Sequence, residues 1–135
     1  MKTTTSYDPE VPPDPTAWNA MPEQARIRAV SHFHMVTRLK SGSQKAHAAF
    51  HVAVENQAAT GSGPTVRALD RLQRQGLTRH DAIHAVASVI AESVWESTQS
   101  TQPPDSQTIQ SELNAAIERL DARSWLQTHA KQVLK

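Results

Sequence analysis

The chain has 135 residues, of which 38% are hydrophobic and only 4% aromatic, so one domain with a lean core is expected. Its 14 lysines and arginines are spread among 13 aspartates and glutamates, and the net charge of +1 without long basic runs argues against nucleic-acid binding. The absence of cysteine excludes disulfides, thiolate metal sites and cysteine nucleophiles.

Residues 1–15 predict an extended arm, because they contain four prolines and proline cannot continue a regular helix or a central strand. Asp14 followed by Pro15 has the form of an N-cap with a first-turn proline, which predicts a short helix over 15–20. A longer amphipathic helix is expected from Pro22 to about Lys40, ended by the Ser-Gly-Ser sequence at 41–43.

The next helix is expected from residue 43 or 44 to about Thr60. Its apolar stripe has three polar neighbours that share one helix face. The stripe consists of Ala46, Phe50, Val54 and Ala58, and the polar neighbours are His47, His51 and Glu55.

A further helix should open at Pro64, with Val66, Leu69 and Leu72 facing inward and its arginines facing solvent. Gly76 followed by Leu77 has the form of a glycine C-cap with its hydrophobic follower.

Thr78 and Asp81 then match a capping box, which starts a helix over roughly 79–97. This helix is apolar over most of its circumference, Val94 and Trp95 included, and is therefore expected to be central.

No alternating strand pattern occurs, so the sequence predicts an all-α, single-domain helical bundle. The expected organisation is an extended arm over 1–15, a helical core over 16–97, a linker over 98–106 and a C-terminal helical segment over 107–135. That last segment is expected to pack on the core or on a partner. Sequence alone does not choose between these roles.

Four of the seven histidines form two i, i+4 pairs, His47 with His51 and His80 with His84. A step of four residues places both side chains of a pair on one helix face, about one turn apart. Two such helices packed together could bring four imidazoles around one metal ion. Glu55, and Glu92 two turns beyond His84, could complete the coordination or support it. The alternative is that these are ordinary core or surface histidines.

The segment from His80 to His84 also has the form of the zincin motif, with Asp81 in place of the glutamate that activates water. Asp81 has a shorter side chain, has a sufficient role in the capping box, and lies in a chain without an evident sheet. These features weigh against a peptidase.

The chain resembles a family of small bacterial proteins of unknown function. The similar segments run from Ala46 to Gln57 and from Gly76 to Ala85, behind a proline-rich start that leads to Trp18. The family supplies no activity. The resemblance implies that the two histidine pairs and Glu55 belong to one recurring pattern, and that the glutamate usual after the first histidine of the second pair is replaced here by Asp81.

The sequence therefore predicts a protein that binds a divalent transition metal through His47, His51, His80 and His84. Zinc is the first expectation, with iron, nickel and manganese as alternatives. If the protein is an enzyme, which the sequence leaves open, metal-dependent hydrolysis with Glu55 or Asp81 as catalytic residue is expected.

The alternative is a non-catalytic interaction protein, such as a homodimer, with structural histidines. No signal-peptide core and no apolar stretch of roughly 18 residues is present, so a cytoplasmic protein without a membrane partner is expected.

Overall fold

The computed structural model describes residues 7–36, 44–102 and 104–133, without the side chains of 33–36, 44–46 and 129–133. Over these residues it contains seven α-helices and no strand, which confirms the all-α prediction. The helices are α1 Pro15–Ala20, α2 Glu23–Val36, α3 Gln44–Ala59, α4 Gly63–Arg74, α5 Arg79–Gln99, α6 Ser106–Glu118 and α7 Ala122–Val133. The predicted stop of α2 at 41–43 lies outside the described residues.

Side-chain caps fix where several of the helices begin. The Asp14 carboxylate accepts a hydrogen bond from the Ala17 amide (2.9 Å), and the Thr78 hydroxyl accepts one from the Asp81 amide (3.1 Å). Asp105 does the same at the start of α6. Each cap satisfies an amide that has no partner within its own helix, so local sequence determines these starts.

Two glycines end α3 and α4 in the same way. Gly61 and Gly76 have φ angles of +78° and +108°, a region that other residues adopt only with strain. Behind Gly76, the Leu77 amide donates to the Leu72 carbonyl at 3.1 Å, the long hydrogen bond of a Schellman motif. The two turns reverse the chain within a few residues and stack α3, α4 and α5.

Helix α5 is central, since it packs against α3, α4 and α6. The main apolar core forms between these helices around fully buried side chains such as Leu72, Ile83 and Ile117. A second apolar cluster joins the arm, α1 and α2 to the outer side of α3. Its members are Tyr7, Trp18, Val30, Ala48 and Val52.

Three apolar residues predicted to face inward are exposed instead. Val66 on α4 is 43% exposed, and Val94 and Trp95 near the end of α5 are 47% and 65% exposed. Periodicity placed them on an apolar stripe, but no helix in the described part of the chain covers them. The buried residues of α5 all lie between Arg79 and Ile90, and its last turns are mostly exposed.

None of the helices in the described ranges combines the length and the apolar character that a membrane crossing requires.

Candidate metal centre

The two histidine pairs lie opposite each other on α3 and α5. The ring centroids of His47 and His84 are 4.9 Å apart, and those of His51 and His80 are 5.2 Å apart. Because the residue number rises along α3 while that of its partner falls along α5, the two helices are antiparallel in this region. The two histidines of each pair are four residues apart on one helix face, so in antiparallel helices the two pairs lie opposite each other and point into the same space between α3 and α5.

Three of the histidines form a group that could hold a metal ion. His47, His51 and His84 each offer one ring nitrogen, and these nitrogens all lie within 4.8 Å of one another. His80 lies outside this trio but beside it, with its ring centroid 4.2 Å from that of His84. The Nε2 atoms of all four rings are buried from solvent.

The spacing of the trio fits the needs of a nitrogen-bound metal. Two nitrogens on one tetrahedral Zn²⁺, each at roughly 2.0–2.1 Å from the ion, lie about 3.4 Å apart. The trio spans up to 4.8 Å, so small rotations of the imidazoles would bring its nitrogens to that separation. All donors are imidazole nitrogens, a set that suits zinc, copper and nickel better than hard cations.

Tyr7 from the N-terminal arm contacts the first pair. Its hydroxyl lies 3.0 Å from Nδ1 of His51 and donates a hydrogen bond to Oε2 of Glu55 at 2.5 Å. Burial raises the pKa of Tyr7, and the Glu55 carboxylate raises it further, so the hydroxyl keeps its proton. Tyr7 therefore connects His51 to a buried carboxylate.

Glu55 in turn forms a two-pronged ion pair with Arg79, the first residue of α5. The distances are 2.9 Å from Nη1 to Oε2 and 2.8 Å from Nη2 to Oε1. Burial by itself lowers the pKa of Arg79, but the hydrogen bonds and charge of Glu55 outweigh it and the pKa is raised. The guanidinium therefore keeps its charge although the two side chains are only 5% and 1% exposed.

The sequence predicted a metal ion or water as the partner of Glu55, but its partners in the structure are Arg79 and Tyr7. Both of its oxygens accept hydrogen bonds from Arg79, and one also from Tyr7, so the carboxylate stands behind His51. It is not part of the group of converging ligand atoms.

Asp81 is also outside that group. Its described bond is the one from its backbone amide to the Thr78 hydroxyl, which is one half of the predicted capping box. A role as catalytic base stays a prediction.

Glu92 lies away from the histidines. It is exposed and lines a separate cavity of about 430 Å³ between α5 and α6, together with Glu96, Glu112 and Arg119. His32 on α2 is exposed, and the side chains of His34 and His129 lie outside the described residues. The polar centre of the described fold is therefore formed by α3, the first turns of α5 and the arm.

Sequence reasoning missed Tyr7 and Arg79. Tyr7 is 44 residues from His51 and belongs to a segment that the prolines marked only as extended. Arg79 was noted only as the start of a helix. One signal was available: Arg79 precedes His80 directly, and Glu55 lies four residues after His51, so the antiparallel pairing of the histidines also places Arg79 near Glu55.

The family model described as a domain of unknown function (DUF1841) matches residues 40–115, more than half of the chain. The chain therefore belongs to this family. The matched span contains all four histidines of the centre, Glu55 and Arg79, whereas Tyr7 lies before it. Comparisons with curated proteins and with solved structures give no significant match.

Proposed function

We propose that this DUF1841 protein binds one divalent transition metal ion, zinc first among the candidates, between α3 and α5. His47, His51 and His84 are the ligands in this proposal, and His80 is the fourth. The observation that carries it is the convergence of three ring nitrogens within 4.8 Å, contributed by two helices. Imidazole is the commonest protein ligand for such metals, and helical bundles build metal sites from inward side chains on facing helices.

The burial of the site favours a closed centre over an open catalytic one. Structural zinc sites use four protein ligands, whereas catalytic sites keep one position for water or substrate. All four Nε2 atoms are buried, and His80 is near enough to take the fourth position. We therefore propose a structural or regulatory metal centre, in which Glu55 supports His51 through Tyr7.

Metal-dependent hydrolysis is the second form of the proposal. It requires that His80 stays out of the coordination, as it stays out of the trio in the described structure. A bound metal would then supply Lewis-acid activation of water. The acid–base group would be Asp81, because the oxygens of Glu55 are engaged by Arg79 and Tyr7.

The experiment is a metal assay on full-length protein purified without a histidine tag. We expect one zinc per chain after reconstitution, measured by elemental analysis, and loss of that zinc in His51→Ala/His84→Ala. His32→Ala is the matched control, since His32 is exposed on α2 and should leave the stoichiometry unchanged. Absence of stoichiometric metal, with a melting temperature that chelator does not change, would favour the non-catalytic interaction protein instead.

X-ray absorption at the zinc edge separates the two forms. Four nitrogen neighbours indicate the closed centre, and loss of one of them in His80→Ala identifies the fourth ligand. Three nitrogens with one oxygen in the wild type indicate the open, hydrolytic form. Only in that case is a screen of hydrolysable substrates warranted.

A further inference from the structure

We infer that Tyr7 is a positioning residue of the metal centre. Its hydroxyl holds His51 in the tautomer that carries its proton on Nδ1, and this leaves Nε2 with a lone pair for a metal ion. The tautomer part of the inference stands on the structure alone. The consequence for metal affinity rests on the proposed function.

The direction of the two hydrogen bonds follows from proton counting. The Tyr7 hydroxyl has one proton and donates it to Oε2 of Glu55. Its contact with His51 Nδ1 at 3.0 Å must then have the oxygen as acceptor and the ring N–H as donor. A neutral imidazole has only one N–H, so Nε2 of His51 is the unprotonated nitrogen.

Glu55 enforces this direction. Arg79 donates to both of its oxygens, so both oxygens act as acceptors in this network and neither donates to Tyr7. The reverse arrangement, in which the Tyr7 oxygen accepts from Glu55 and its hydroxyl donates to His51, is therefore excluded. The His51 ring N–H therefore donates to the Tyr7 oxygen, the Tyr7 hydroxyl donates to Glu55, and Arg79 donates to Glu55 from the other side.

The Tyr7 ring is held firmly enough to impose this arrangement. Tyr7 is 7% exposed, and its ring packs edge-on against His51 and tilted against Trp18, with centroids 5.6 and 5.9 Å away. The arm that carries it is tied to the start of α5. There Arg79 donates from its guanidinium to the Pro9 carbonyl at 2.9 Å, and its backbone amide donates to a carboxylate oxygen of Glu10 at 3.0 Å.

The chemical consequence concerns which nitrogen is ready to bind. Metal-bound histidines nearly always donate their other ring N–H to an acceptor, which fixes the tautomer and orients the ring. Removal of such an acceptor typically weakens metal binding by 10- to 100-fold. The Tyr7 oxygen has this place in the present centre, although it lies on the arm and outside the span that the family model matches.

The first test needs no metal, and its one variant serves only to assign signals. Long-range ¹H–¹⁵N correlation spectra of the metal-free full chain distinguish protonated from unprotonated ring nitrogens, and His51→Gln identifies the signals of His51. We expect the proton on Nδ1. A proton on Nε2 of His51 would overturn the inference.

The second test is Tyr7→Phe, which removes the hydroxyl and keeps the ring against Trp18. We expect the His51 signals to move toward a mixture of tautomers, and the zinc affinity, measured by competition with a chromophoric chelator, to fall 10- to 100-fold. The matched control is Asn19→Ala, which removes another contact to α3, a long one to the Ala59 carbonyl, without touching His51. It should leave both readouts unchanged.

The outcomes separate the two proposals. A Tyr7→Phe protein that folds and keeps the wild-type tautomer, or binds zinc within twofold of wild type, overturns the role of Tyr7. A wild-type protein with the Nδ1 proton on His51 but without zinc binding overturns the metal centre and leaves the tautomer assignment standing.

Discussion

Two arginine–glutamate ion pairs join helices among the residues that the structure describes. Glu55 and Arg79 join α3 to α5 and are 1% and 5% exposed. Arg67 and Glu118 join α4 to α6 and are 60% and 38% exposed. Moving two charges out of water costs more free energy than their attraction returns, unless every hydrogen bond is made. The buried pair of Glu55 and Arg79, called the inner pair below, therefore adds little stability by itself. The exposed pair of Arg67 and Glu118 is called the outer pair.

The other polar groups that each ion pair contacts indicate its role. The inner carboxylate also holds Tyr7, and through Tyr7 it reaches His51. The outer pair reaches no further polar group of the centre, and its neighbour Arg71 donates to the Ile117 and Leu120 carbonyls at the end of α6. The comparison indicates that the outer pair aligns two helices, whereas the inner pair organises a site.

The largest expected difference between the two pairs is in the free energy of unfolding when the arginine of each pair is replaced. Arg79→Met leaves the buried Glu55 carboxylate without its counter-charge, and we expect the free energy of unfolding to fall by about 3–5 kcal/mol. Arg67→Met is the matched control and should change little, because water already solvates Glu118. Urea denaturation followed by circular dichroism measures both. Equal midpoints for the two variants would contradict the comparison.

Zinc should raise the free energy of unfolding only when the histidines between α3 and α5 are present. At a free zinc concentration 100 times the Kd, an ion that binds only the folded state raises the free energy of unfolding by about 2.7 kcal/mol. We expect this gain in the wild type and in Arg67→Met, and none in His51→Ala/His84→Ala. Thermal unfolding with and without zinc provides the measurement, and an equal gain in the double variant would place the ion elsewhere.

An apolar replacement should separate stability from function in the inner network. In Tyr7→Phe/Glu55→Leu/Arg79→Met no charge is left buried, so most of the stability lost in Arg79→Met should return. Zinc affinity should still fall 10- to 100-fold, because His51 has lost its acceptor. Paired urea and zinc titrations test this. A triple variant that binds zinc as tightly as wild type would show that the network serves packing only.

The smallest effect concerns the acid response of the outer pair. The hydrogen bonds from Arg67 hold the pKa of Glu118 below its ordinary value. A carboxyl with a lowered folded-state pKa contributes stability above its unfolded pKa of about 4.3, and this contribution is lost as the pH falls through the folded-state pKa. Arg67→Met should raise the Glu118 pKa toward the ordinary value, as measured by NMR titration of the side-chain carboxyl. An unchanged titration would mean that the pair does not form in solution.

Much of the fold could be predicted because its signals are local. The caps at Asp14 and Thr78 and the glycine turn at Gly76 depend on residues within a few positions of one another, and the structure contains all three. The exposure of Val66 and Trp95 could not be predicted, because periodicity defines an apolar stripe but not whether another helix covers it.

The residues of the candidate metal centre also differ in whether a local sequence signal predicted them. The i, i+4 spacing predicted that His47 and His51 share one face of α3, and the structure brings both to His84 on α5. Tyr7 had no such signal, since its place depends on how the arm folds back over α3. The partner of Glu55 had only an indirect signal in the histidine pairing, because its position depends on the antiparallel register between two helices that a third one separates in the chain.

The depth of the imidazole nitrogens also bears on kinetics. With all four Nε2 atoms shielded from solvent, an ion can enter or leave only while the protein opens locally. Transfer of zinc to a strong chelator should then reach a maximal rate that no longer increases with chelator concentration. That plateau would report how often the arm and the two helices separate, and the proposed metal centre would then keep its ion through brief depletion of the surrounding pool.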